Sequence, residues 1–151
     1  MEVQMTDNIT LEKLDLKIVN EQNFETNKIF TEMWNDAWVE LIALGSLARE
    51  TPPINKLRGI FYFIKVDDIP VGIRVYYPIT PEFYESLFTY VKPDYRKRGL
   101  RVITREMAYK ELKEQGVKRI TDSVMLTVQS TIDMYKKLGI EPVAYRYEFD
   151  I

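Results

Sequence analysis

A mixed β-sheet covered by helices on both faces, an α/β arrangement, is the fold class this chain predicts, and two observations carry it. Runs rich in β-branched and aromatic residues are separated by segments whose apolar residues fall three and four apart, so strand and helix periods alternate along the chain. The order is the second: one strand, one or two helices, three strands, then helix, strand, helix, strand. A helix lying between two strands of one sheet is a crossover, which makes that strand pair parallel and right-handed. The length of 151 residues, 46% of them apolar, suffices for one compact domain, and a single domain over residues 1–151 is expected.

Each element follows from local chemistry. Leu14, Leu16 and Ile18 alternate with Asp15 and Lys17, the pattern of a half-buried strand. From residue 24 to 49, Phe30, Met33, Trp34, Ala37, Trp38 and Leu41 keep helical spacing, and Thr51-Pro52-Pro53 ends the run because a residue before proline leaves helical geometry. Residues 59–65 and 71–77 read as a hairpin about the turn in V-D-D-I-P-V-G. Residues 87–91 make the central strand. Leu100, Ile103, Met107, Ala108 and Leu112 mark a helix stopped by Gly116. Residues 120–128 form the next strand; Ser130 or Thr131 caps a short helix ended by Gly139, and Val143, Tyr145, Tyr147 and Phe149 make a last strand. Trp34, Trp38 and Met33 read as core, with the wall of a groove as the alternative; Tyr76, Tyr77 and Tyr84 read as sheet packed under a helix, or as lining of that groove.

Composition narrows the chemistry. With 21 basic and 23 acidic residues the net charge is −2, which speaks against a nonspecific nucleic-acid binder. The chain has no cysteine and no histidine, so thiolate nucleophiles, disulfides and imidazole chemistry are all excluded. Proton transfer is left to Tyr, Glu, Asp, Lys or water, and no metal-binding pattern of acids appears. The first ten residues lack the apolar core of a signal peptide, and no apolar run is long enough to span a bilayer, so a cytoplasmic protein without membrane contact is expected.

The most telling stretch runs over residues 85–101, E-S-L-F-T-Y-V-K-P-D-Y-R-K-R-G-L-R: a strand, a proline turn, then a cationic glycine turn opening into a helix. A helix N-terminus presents unpaired N–H groups and positive potential to an anion. Cations at that end oppose the helix dipole by about 0.3–1 kcal/mol each, so Arg96, Lys97, Arg98 and Arg101 are locally unfavourable until an anion arrives. Gly99 allows close backbone approach.

These residues resemble the GNAT superfamily of acyl-CoA-dependent N-acyltransferases. V-K-P-D-Y-R-K-R-G-L is similar to the family's strand end and R/Q-x-x-G-x-G/A turn; M-Y-K-K-L-G-I is similar to its late L-Y-x-K-x-G-F helix, and V-D-D-I-P-V-G to its second hairpin. The likeness spans roughly residues 10 to 150. It implies the GNAT-like fold, acetyl-CoA as co-substrate, no metal, and an amine acceptor on a small molecule or a protein. It also implies that backbone groups of Tyr90 and Val91 bond the pantetheine arm, that the amides of residues 98–101, Leu100 included, hold the diphosphate, and that Arg96 and Lys97 meet the outer phosphates. Tyr135 takes the place of the general acid at the departing sulfur. Glu85 takes that of the general base, with Glu82 and Asp122 as rivals. Three departures stand out: Arg101 replaces a small residue and would either add a cation or obstruct the ligand, Val128 replaces an asparagine, and the tail after Gly139 is short, leaving an edge for a second copy to pair. They support the alternative of a catalytically silent domain that binds or regulates. Nucleic-acid binding through the basic turn and Tyr95 fits the net charge poorly.

Overall fold

The computed structural model describes residues 8–45, 49–124, 128–144, 147 and 149–151. β1 (Ile9–Leu14), β2 (Ile60–Val66), β3 (Ile69–Thr80), β4 (Phe83–Val91) and β5 (Arg119–Asp122) form one sheet in chain order. The first four are antiparallel, and β5 joins β4 in parallel, as the crossover through α2 (Leu100–Glu114) requires. The hairpin turn is two residues long: Asp67 and Asp68 both take positive φ, the geometry that matches the twist of the flanking strands.

Helix α1 (Phe24–Ala43) covers one face of the sheet and α2 the other. Under α1 lie Phe30, Met33, Trp34, Phe61, Phe63 and Phe88, where alternate residues of three strands meet one helical stripe. Phe30 meets Phe61 edge-on at 5.1 Å, and Trp34 packs on Phe88 at 5.3 Å. Each such side chain contributes about 1.5–3 kcal/mol by leaving water, so this aromatic layer anchors the fold. The Trp34 indole N–H donates to the Pro52 carbonyl at 2.8 Å, which ties down the proline segment. Beneath α2, the buried Tyr62, Tyr76, Ala108, Leu112 and Val117 form a second cluster. The tyrosines divide accordingly: Tyr76 and Tyr84 pack under α2 and Tyr77 under α1, so all three are sheet surface covered by helices.

Several boundaries differ from the sequence expectation. The first strand ends where 14–18 was expected to begin it, because Leu14 pairs with Phe61 and β2 starts at Ile60, leaving no partner further along; Leu16 is still buried, whereas Ile18 is 75% exposed. Helix α1 stops before the prolines, at Gly45 with φ 92°. β5 is short, with Ser123, Val124 and Val128 outside it and residues 125–127 not among those described. Helix α3 (Gln129–Lys137) begins after Val128 with no side-chain cap, so Ser130 and Thr131 lie inside it rather than capping it. Of the expected last strand, Val143, Tyr147 and Phe149 lie in no strand and are largely exposed, while Tyr145 falls outside the described residues. Period-two spacing supplies a face but not a partner, and no strand edge receives this one among the described residues.

Candidate active site

The site is shaped by one irregularity in β4. Val75 pairs with Phe88 and Tyr76 with Ser86, so Leu87 is an extra residue and β4 bulges there. Leu87 and Phe88 consequently both pack under α1, while Ser86 and Thr89 face the α2 side. Parallel pairing with β5 covers only Phe83 to Ser86 among the described residues. Beyond the bulge, no strand among the described residues lies against the outer edge of β4, and that edge runs toward the N-terminus of α2.

The cationic turn lies at the end of that edge. Gly99 stands at the helix N-cap with φ 76° and Lys97 also takes positive φ, so the chain curls about its own amides. Residues 97 to 102 have no acceptor for their N–H groups among the described residues, and no side chain caps the helix. That leaves a ring of donors at the positive end of a 15-residue helix.

The side chains of the turn divide between structure and site. Arg96 donates from Nε to the Val91 carbonyl at 2.8 Å, forms two bonds of 2.6 and 2.8 Å with the Glu40 carboxylate, and lies over the Tyr90 ring; it buttresses α1 against the strand end. The Val91 carbonyl is therefore already taken. Arg98 stacks on Tyr95 at 4.8 Å and reaches the Asp94 carbonyl. Lys97 is exposed, and its ammonium meets no partner among the described residues. Leu100 is buried against Val91, Ile64 and Val71 and anchors the first turn of α2 on the sheet.

Arg101 reaches away from the turn, down into the cleft between α2 and α3. Its guanidinium donates to Thr131 Oγ1 on α3 at 3.0 Å, bridging the starts of α2 and α3. Below it, Tyr135 donates its hydroxyl to Asp122 at the end of β5. Burial above all, then hydrogen bonding to Asp122, pushes the Tyr135 phenol well up, so it stays protonated. Burial also raises the Asp122 carboxyl, while the bond from Tyr135 and the charge of Arg101 pull it back. Arg101 is lowered by burial and by the neighbouring Arg74.

The predicted acid and base come to opposite sides of the sheet. Glu85 pairs with Tyr77, whose ring packs under α1, whereas Tyr135 shares a cavity with Arg74, Ser86 and Thr89 on the α2 side. Both border the bulge. Sequence reasoning gave no role to Arg74 and Arg105, and read Thr131 only as a candidate helix cap. The signal for Arg74 was present: a lone cation within V-G-I-R-V-Y-Y, a run otherwise apolar enough for a strand covered on both faces. Thr131 carried none, since only the folded chain brings it under Arg101. Among the described residues no three Asp, Glu, His or Cys side chains gather as metal ligands, and no helix is long and apolar enough to cross a membrane.

A family model described as Acetyltransferase (GNAT) family matches residues 21–140. No curated protein matches the chain. An aminoglycoside acetyltransferase from an uncultured soil metagenomic sample, solved with sisomicin, superposes with a TM-score of 0.66 at 9% identity, covering 95% of this chain and 96% of that one. A GNAT family acetyltransferase from Elizabethkingia anophelis with acetyl-CoA bound gives 0.61 at 16% identity over 87% and 74% of the two chains. A ribosomal-protein-alanine N-acetyltransferase from Brucella melitensis biovar Abortus 2308 gives 0.60 at 14% identity over 95% and 100%. At these identities the likeness is one of fold.

Proposed function

The chain belongs to the Acetyltransferase (GNAT) family, and from that premise we propose that it transfers an acyl group from coenzyme A to a primary amine by direct attack, with no covalent enzyme intermediate. The observation that carries this reading is the set of unpaired amides over residues 97 to 102, placed where the uncovered edge of β4 meets the start of α2. These amides suit a diphosphate, with Lys97 free to meet an outer phosphate. The uncovered edge of β4 suits the pantetheine amides, as in strand addition generally. A structural relative carries acetyl-CoA, which supports the same choice of donor.

In this reading the two faces of the sheet divide the chemistry at the bulge. Glu85, on the α1 side, accepts a proton from the acceptor's ammonium, which frees the amine nitrogen to attack. Tyr135, on the α2 side, turns its hydroxyl from Asp122 to the departing sulfur, a contribution of about a hundredfold to ten-thousandfold for a placed acid. The amine nitrogen forms the new bond to the carbonyl carbon, the carbon–sulfur bond breaks, and the sulfur leaves as the thiol. The acceptor is an amine of a small molecule or of a protein, since relatives named for an aminoglycoside and for a ribosomal protein share the fold.

Calorimetry with acetyl-CoA tests the cradle: micromolar binding is expected, lost on Gly99→Glu, which sets a carboxylate and a strained backbone among the amides. Equal affinity in the variant would place the diphosphate elsewhere. Tyr135→Phe is expected to keep cofactor affinity and lose turnover; undiminished turnover would remove the phenol from the chemistry.

One observation favours a second reading, a silent domain. Arg101 spans the cleft to Thr131 and Asp122 already engages Tyr135, so the free protein is closed. The thermal midpoint with coenzyme A decides between them, because ligand at about 100 times its Kd stabilises by about 2.7 kcal/mol. An unmoved midpoint favours the silent domain.

A further inference from the structure

We infer that the cavity beneath Arg101 is an acyl-chain pocket built for a carboxylate, so that the preferred donor is a coenzyme A ester of a dicarboxylic acid. This rests on the acyl-transfer reading above and specifies its substrate.

Arg74 lies in the middle of β3, 4% exposed, and its guanidinium has only neutral acceptors: Thr104 Oγ1 at 2.9 Å, the Tyr76 hydroxyl at 3.2 Å and the Arg101 carbonyl. A buried arginine without a carboxylate is uncommon, since an uncompensated charge in a medium of low dielectric is costly. The same cavity is lined by Arg101 and Arg105. The Arg105 side chain is 11% exposed; it sends NH1 outward to Glu106, stacks on Tyr109, and keeps a buried Nε–H with no partner. Against these three cations stands one lining carboxylate, Asp122, whose Oδ2 already accepts from Tyr135. Tying α2 to the sheet accounts for the bonds of Arg74. It does not account for Arg101 and Arg105, whose side chains line the same cavity.

Location supplies the rest. Ser86 and Thr89, on either side of the β4 bulge, line this cavity together with Tyr135, so it lies beside the departing sulfur of the proposed mechanism. Its free volume is about 20 Å³, room for a single water. An acyl terminus therefore enters only as Arg101 leaves Thr131. A neutral acetyl group offers nothing in return for that bond. A terminal carboxylate offers charge-assisted hydrogen bonds from Arg101, Arg105 and Arg74, and supplies the missing counter-charge. The transfer balances as before: the nitrogen–carbonyl bond forms, the carbon–sulfur bond breaks, and the terminal carboxylate is carried unchanged into the product amide.

The test compares the affinities of the intact protein for acetyl-, butyryl- and succinyl-CoA by calorimetry. Succinyl-CoA should bind at least about tenfold more tightly than either neutral ester, the effect of one or two charge-assisted hydrogen bonds. Butyryl-CoA, of similar length, separates charge from size. Arg105→Gln should erase most of the advantage, and since Arg105 stands on α2 outside the sheet, with its NH1 on the exposed Glu106, it gives a readable result even if Arg74→Gln fails to fold. Acetyl-CoA binding as tightly as succinyl-CoA would overturn the inference and leave the transfer reading standing. Binding of no coenzyme A ester would overturn both. Free succinate competing for Arg105-dependent stabilisation without coenzyme A would move the carboxylate from donor to acceptor and overturn the assignment to the acyl chain.

Discussion

The two faces of the sheet are filled by opposite materials. Under α1 the core is almost wholly aromatic and aliphatic, with Phe30, Trp34, Phe61, Phe63 and Phe88 in mutual contact. Under α2 the packing holds hydroxyls and charges: Tyr62, Tyr76, Arg74, Thr104 and, at the cleft, Arg101, Asp122 and Tyr135. Burial of apolar area stabilises wherever it occurs, but a buried polar group does so only when its hydrogen bonds are complete. The Tyr62 hydroxyl is buried with the Glu111 carboxylate beside it, and the Asp122 carboxyl is pushed up by desolvation against the pull of Tyr135 and Arg101. One face thus holds the fold, while the other keeps polar groups beside the bulge.

The contrast breaks most sharply at Trp34. It is 2% exposed, stacks on Phe88 and Trp38, and bonds the Pro52 carbonyl, so Trp34→Ala should cost about 3–5 kcal/mol by leaving a large cavity and a freed loop. Urea unfolding monitored by circular dichroism measures this. A loss under about 1 kcal/mol would mean that the α1 face is not the anchor.

Alkali should act mainly on the other face. Tyr62, Tyr76 and Tyr135 on the α2 side, and Tyr77 and Tyr90 on the α1 side, are all raised above 10.0, in each case first by burial. A phenol raised in the folded state gives stability that is complete below about pH 10 and is lost as pH climbs toward the folded value, because the unfolded chain releases its protons first. Unfolding free energy followed from pH 8 to 11 should therefore fall above about pH 10. Tyr62→Phe should flatten that fall more than Tyr90→Phe. Equal slopes in the two variants would erase the distinction between the faces.

How far each face was legible in the sequence follows the same division. Helix α1, the hairpin and α2 were readable because periodic apolar side chains and turn residues such as Asp67, Asp68 and Gly116 act locally. The cationic turn was readable for the same reason, its shape lying in backbone conformation at Lys97 and Gly99. What the sequence could not show was where long polar side chains go. Arg96 and Arg101 stand in one motif, yet Arg96 turns to Glu40 on α1 and Arg101 to Thr131 on α3, partners 56 and 30 residues away. The bulge at Leu87 was equally hidden, since it is a property of how β3 and β4 pair and not of either strand alone.

The smallest predicted effect concerns the bridge between α2 and α3. Thr131→Val keeps the shape of the residue and removes the acceptor from Arg101, so stability should drop by only about 0.5–1.5 kcal/mol. Ligand association should move in the opposite direction. If the Arg101–Thr131 bond closes the cleft, its loss raises the association rate for acetyl-CoA in stopped-flow measurements while the dissociation rate changes little. A slower association would show instead that the bond holds the two helix starts at the spacing the cradle requires. Either result bears on the comparison of the faces, because a polar contact that can be removed with little loss of stability and some gain in access belongs to the site, and one whose loss impairs both belongs to the fold.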